Sequence, residues 1–264
     1  MLASFRQLPI SNRFPILSSV DIASLCALIF LAAAIYSSVG HGGASGYLAA
    51  MALFGLAPAV MKPTALALNI LVSALASWRW HRAGLVSWRA IQPLVVTSVP
   101  AAFLGGAIHL PNNWYRVLVG VVLLAAAARL LYEFRPMSAS TDTQSHVPWL
   151  GGSATGAGVG VLSGLTGTGG GIFLSPLLLF ANWATARQAA GITAPFILLN
   201  SIAGLAGNVT AVRGLPAELP YFVVAALLGA LVGLQLGVRW GSNVVLQRML
   251  GVVLVIAAAK FLLT

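Results

Sequence analysis

Acidic side chains are almost missing from this chain: Asp21, Glu133, Asp142 and Glu218 are the four carboxylates in 264 residues, and all fall at the ends of apolar runs or in loops. Charged residues of both signs amount to 7%, where a soluble domain carries about 25%. With 59% hydrophobic residues and a mean hydropathy of +0.95, that scarcity excludes a soluble globular domain. It predicts an all-α integral membrane protein whose partner is the lipid bilayer. Proton and sodium pumps usually keep an Asp or Glu inside the bundle, so the missing carboxylates also favour an anionic substrate. The single cysteine, Cys26, excludes a disulfide framework and a cysteine metal site. The net charge of +10 is spread over Lys and Arg that stand singly between apolar runs, without interleaved aromatics. This excludes nucleic acid as a partner and makes the charge a reporter of topology. Arg6 and Arg13 ahead of the run 22–36 imitate a secretory signal, but the run flows into a motif that recurs later, so it belongs to the fold.

What the chain does contain is apolar segments. A broken one spans about 22–55, and helices follow near 58–78, 90–108 and 114–134. The stretch "RPMSASTDTQSHVP", residues 135–148, has the composition of an exposed linker. A second broken segment then covers about 149–181, with helices near 186–211, 218–238 and 243–263. The expected organisation is an N-terminal segment 1–21, a first membrane repeat 22–134, a linker 135–148 and a second repeat 149–264. Residues agree across the halves: "GHGG" at 40–43 precedes "GTGG" at 167–170 by 127 positions, and "ILV" at 70–72 precedes "ILL" at 197–199 by the same distance. Internal repeats in a polytopic protein point to a transporter with its site at the repeat interface.

Both halves break at a glycine cluster. Glycine costs about 1 kcal/mol per residue relative to alanine inside a helix, so these clusters end helical structure and release backbone polar groups. At membrane depth such groups survive when buried in protein or lining a wet cavity. A helix restarting after the break aims its N–H groups and positive dipole end at that spot, a ready anion site. The two stretches 39–44 and 165–171 are therefore predicted to be non-helical and to meet in the bundle interior. The substrate-lining candidates are Gly40, His41, Gly42, Gly43 and Ser45 at the first break and Gly167, Thr168, Gly169, Gly170 and Gly171 at the second. Asn69, Ser73, Asn200 and Ser201 on the following helices join them, with Arg187 at an entrance. No cofactor or metal is expected: nucleotide loops would need glycines where Ser45 and Ile172 stand.

The stretch "GLTGTGGGIFLSPLLL", residues 164–179, resembles the glycine-rich signature of the TauE/SafE family of sulfite-exporter-like permeases. The likeness extends over about 22–263 and is complete at Gly167, Gly169, Gly170, Gly171 and Pro176, whereas the first half has Ala44 and Ala49 at the matching third glycine and proline. The resemblance implies a permease for sulfur-containing anions such as sulfite, sulfonates or sulfoacetate. An anion channel or a non-transporting membrane module is the alternative. A rhomboid-like protease is weaker: "GASG" at 43–46 offers Ser45 as nucleophile, but His81 and His109 lie where helices end.

If the broken segments cross the membrane, the chain has eight spans and parallel repeats. Nine of the basic residues then share the terminal side against five, which predicts cytoplasmic termini in a bacterial-type inner membrane. If the segments turn back as hairpins, three spans per half remain and the repeats are inverted. Eight spans is the favoured expectation, and a homo-oligomer stays open.

Overall fold

The computed structural model describes residues 18–131, 145–209, 215–239 and 244–263. Most of the N-terminal segment, most of the linker, and with them Arg6, Arg13, Glu133, Arg135, Asp142 and Arg213, lie outside the described residues. The described residues form ten helices: α1 (Ser19–Ser38), α2 (Ala44–Leu53), α3 (Pro58–Arg82), α4 (Trp88–Ala107), α5 (Asn112–Leu131), α6 (Trp149–Thr166), α7 (Gly171–Phe180), α8 (Ala186–Gly207), α9 (Leu219–Arg239) and α10 (Val244–Leu263). The chain is thus a multi-pass, all-α helical bundle. By length and composition α1, α3, α4 and the 187–207 part of α8 can cross a hydrocarbon core. Helices α5, α9 and α10 match them in length.

Local chemistry sets the helix starts. Ser18 and Asp21 form a capping box, so α1 begins at Ser19, ahead of the expected 22. Thr185 and Gln188 do the same for α8, and Pro58 opens α3.

Small residues then set the packing. On α6, Gly156, Gly160 and Gly164 recur every fourth position and lie against Leu94, Ser98 and Ala102 of α4. Such a stripe lets two backbones approach closely, which replaces hydrophobic driving force between membrane helices. Residue numbers rise together along the contact, so α4 and α6 run parallel. Helices α1 and α9 pair likewise, through Gly229 on Phe30 and Gly233 on Ala34. The helices after the two breaks run oppositely: Gly204 of α8 meets Leu66 of α3, Ser201 meets Asn69, and Ala190 and Ala194 share an apolar cluster with Ala76 and Trp80. The largest core joins Leu25, Tyr47, Met61, Val119, Phe222 and Leu254 from six helices. Outward apolar side chains such as Val96, Leu104, Val121 and Leu228 form the lipid face.

Neither broken segment passes straight through. Helix α2 folds back along α1, with Gly46 against Ala32 and the Ser45 hydroxyl donating to the Tyr36 hydroxyl at 2.7 Å. Helix α7 folds back along α6: Gly170 lies against Val159 and Ser163, and beyond α7 the His146 amide donates to the Trp183 carbonyl at 3.1 Å. That bond brings the two ends of the second hairpin together. The favoured eight-crossing expectation is corrected at both segments. Sequence periodicity marks a break but carries no sign for the chain direction after it.

Candidate functional site

The first hairpin turns because α1 closes its own C-terminus. Gly40 adopts φ +80°, its amide donates to the Ser37 carbonyl, and the His41 amide reaches the Tyr36 carbonyl at 2.9 Å. This pair of bonds is a Schellman motif, which satisfies the last carbonyls of a helix. Helix α2 then starts from Gly43 (φ +96°) and α7 from Gly170 (φ +79°), both left-handed and neither bearing a side-chain cap. A left-handed cap needs glycine at those two positions. The bounds of the breaks are narrower than expected: Ala44, Leu165, Thr166 and Gly171 are helical, and 39–43 and 167–170 are not.

The first turn of any helix leaves its N–H groups unpaired. In this chain they stay so: among the described residues no acceptor takes the N–H groups of residues 42–46 or 169–172. All nine residues are buried or nearly so. Two positive helix ends therefore face the interior of a membrane protein without a protein partner.

The tips meet midway along α3 and α8. The Asn69 carboxamide fills the gap between them, leaving no room for a Cβ on Gly42 on its oxygen side or on Gly169 on its nitrogen side. Its nitrogen donates to the Thr168 carbonyl at 3.2 Å and the Ser201 hydroxyl at 3.3 Å, while Oδ1 is buried without a partner. Ile197 touches both glycines. The structure thus brings together Gly40, His41, Gly42, Gly43, Asn69, Gly169, Gly170, Gly171 and Ser201, with Gly167 and Thr168 in the second tip and Ser45 in the first turn of α2. Ser73 donates back to the Asn69 carbonyl within α3. Asn200 points elsewhere, donating to Ser98 on α4 at 3.0 Å and to the Phe196 carbonyl at 2.8 Å. Arg187 is exposed in the first turn of α8, apart from the tips.

Thr168 behaves differently from a free donor. The Thr166 hydroxyl donates to the Leu162 carbonyl at 2.6 Å, so the 2.9 Å contact between the two threonines is a donation from Thr168 to Thr166. Its hydroxyl hydrogen is committed inside its own hairpin. His41 instead reaches across: its Nδ1 lies 3.0 Å from the Val39 carbonyl and its Nε2 2.8 Å from the Ser175 hydroxyl of α7. Ser175 continues to Thr193 on α8 at 3.1 Å.

The sequence reading missed Lys62. It is buried in α3, its stem packs on Gly167, and its ammonium donates to the Gly106 carbonyl at 3.1 Å near the end of α4. Among the described residues no carboxylate pairs with it. A lysine inside a span, in "VMKPT", was the available signal. Tyr47, whose hydroxyl holds the Gly42 carbonyl at 2.7 Å, and Ser175 were also missed; a hydroxyl among apolar residues gives no sequence signal of its partner.

The protease alternative requires Ser45 beside a histidine. Its hydroxyl goes to Tyr36, and His81 and His109 are exposed. The serine–histidine contact that does form, Ser175 with His41, is sealed between hairpins at 2% and 3% exposure. Among the described residues no three His, Cys, Asp or Glu side chains gather as for a metal.

Comparison with known proteins agrees with a transporter. The family model described as sulfite exporter TauE/SafE matches residues 25–261. A probable membrane transporter protein, y4hK of Sinorhizobium fredii (strain NBRC 101917 / NGR234), is 41% identical over 239 residues, covering 90% of this chain and 97% of that protein. No solved structure matches.

Proposed function

The chain belongs to the sulfite exporter TauE/SafE family and is a non-enzymatic membrane transporter, and from that premise we propose that its cargo is a small sulfur-containing anion, sulfite, a sulfonate or sulfoacetate, held between the two hairpin tips. The observation that carries this reading is the pair of uncapped, buried helix N-termini of α2 and α7 converging on Asn69. Discontinuous helices with N-termini aimed at an anionic group are a recurrent transporter device. The anion accepts from main-chain amides around 169–171 and 42–43, with His41 lining the first tip. Gly40, Gly167, Thr168, Ser45 and Ser201 shape the wall, and Lys62 adds a positive charge beside the second tip. Backbone donors contact the anion with partial charge, while the one full charge nearby, that of Lys62, is engaged by the Gly106 carbonyl. Asn200, Ser73 and Arg187 are assigned to packing and to the surface.

The organisation proposed is two repeats, 22–134 and 149–264, joined by 135–148 and inverted relative to each other. Opposite directions of α3 and α8, and the exchange by which α1 packs on α9 and α6 on α4, support it. The protein sits in a bacterial-type inner membrane; the nine-against-five charge count that put the termini in the cytoplasm belongs to eight crossings and does not carry over to two hairpins.

Reconstituted proteoliposomes test the reading. Uptake of radiolabelled sulfite or sulfoacetate, saturable and competed by related sulfur anions, is the expected result. Flux that does not saturate would favour the channel alternative, and no flux of any sulfur anion would overturn the assignment.

A further inference from the structure

All four histidines lie in described residues; His81, His109 and His146 are exposed, while His41 is buried in the first tip. Its hydrogen-bond directions are determined. The Val39 carbonyl can only accept, so Nδ1 of the neutral ring carries the hydrogen and Nε2 is the acceptor. Ser175 must then donate to Nε2, and with that hydrogen spent, Thr193 must donate to Ser175. The three residues come from the first tip, α7 and α8, so the chain ties both hairpins to one of the through-going helices.

We infer that His41 is the proton carrier of the transport cycle and that Ser175 and Thr193 relay its proton, so that one proton moves with each anion. This rests on the anion site described above and extends it to the coupling ion. A histidine is the side chain whose ordinary pKa puts its charge change between pH 5 and 8. A proton gained at Nε2 makes both ring nitrogens donors, which reverses the chain: His41 donates to Ser175, and Ser175 turns its hydrogen to Thr193. No bond other than N–H or O–H is made or broken, and the charge added to the ring is the proton's.

The reversal has a reason to follow the anion. The imidazolium stands in the same tip whose amides face the cargo, so each stabilises the other, and that linkage is reciprocal. Together they form a near-neutral pair, which lowers the cost of moving charge through a low-dielectric interior. Other groups near His41 do not compete for the role. Tyr36 of α1 has its ring 6.4 Å away, and Tyr47 of α2 is held by the Gly42 carbonyl. Helices α7 and α8 present the hydroxyls of Ser175 and Thr193, and α3 presents Asn69 and Ser73 on this side, with Lys62 beside the other tip.

The experiment compares two modes in proteoliposomes with radiolabelled sulfite. Exchange between loaded and external sulfite at equal pH needs no net proton movement, whereas accumulation driven by a pH difference does. Ser175→Ala is expected to retain exchange while losing about tenfold in pH-driven accumulation, the worth of one charge-assisted hydrogen bond, with Ser175→Thr restoring it. His41→Gln is expected to lose the pH dependence of uptake altogether. Exchange without any pH-driven accumulation in the unaltered protein overturns the proton role and leaves the anion site standing. So does unchanged pH-driven accumulation in both variants. Absence of sulfite exchange in the unaltered protein removes the anion site and this inference together.

Discussion

The two hairpins share left-handed glycines at 40 and 167 and at 43 and 170, and differ at Gly169, which is left-handed where Gly42 is not, and in what their side chains do. Position 41 in the first tip corresponds to 168 in the second, 127 residues on: His41 reaches out to Ser175 on the other hairpin, whereas Thr168 bonds back to Thr166 in its own. Position 44 corresponds to 171. Ala44 is accommodated as the first residue of α2, but a Cβ on Gly171 would meet the Ile197 side chain. The departure from the family signature at Ala44 therefore follows from a different neighbour and leaves the turn itself intact. Asn69 likewise corresponds to Phe196: the first half inserts a carboxamide between the tips, and the second places a phenyl ring against Gly170. One break geometry can thus be repeated while titratable chemistry is confined to one copy. The backbone supplies the donors in both, so the side chains are free to diverge.

The largest expected effect breaks the comparison at its shared element. Gly170→Leu puts a side chain at φ +79°, against Val159, Phe196 and Ser163, and is expected to displace the start of α7 and its amides. Losing two charge-assisted bonds of about 1.5–3 kcal/mol each lowers anion affinity by about a hundredfold or more. Gly43→Leu at the first cap is expected to do the same. Calorimetry in detergent on monodisperse protein measures both. Full affinity in Gly43→Leu alone would mean that only the second tip binds the anion.

A smaller effect sharpens the difference in charge between the tips. Lys62 packs its stem on the second tip at Gly167 and sends its ammonium to the Gly106 carbonyl, and the first tip has no such neighbour among the described contacts. Lys62→Met is expected to weaken sulfite binding by about tenfold, within the range for a hydrogen-bonded charge, with Lys62→Arg recovering part of it. Equal affinity for Lys62→Met, with a lowered melting temperature, would assign this lysine to holding the end of α4.

The smallest concerns Thr168. Because its hydroxyl hydrogen is already given to Thr166, Thr168→Val is expected to cost about 1 kcal/mol of stability and to leave anion affinity unchanged. Thermal unfolding and titration of the same preparation separate the two, and an affinity loss at constant stability would show that the hydroxyl turns to the anion when it binds.

Composition and periodicity by themselves determined the membrane class, the two breaks and most helix limits. The reason is local: apolar length sets what can cross a bilayer, and clustered glycine ends a helix whatever surrounds it. They also singled out Gly42, Gly43 and Gly169 to Gly171, which lie at the two breaks. Only the tertiary structure decided that each broken segment turns back, because the direction after a glycine depends on which helix receives the returning one. It likewise separated Asn69, lodged between the tips, from Asn200, turned to Ser98, although both are asparagines on the helix following a break. And it set Ser175 against His41 across 134 positions, a contact with no local pattern to announce it, since a hydrogen bond between hairpins exists only once both have folded against each other.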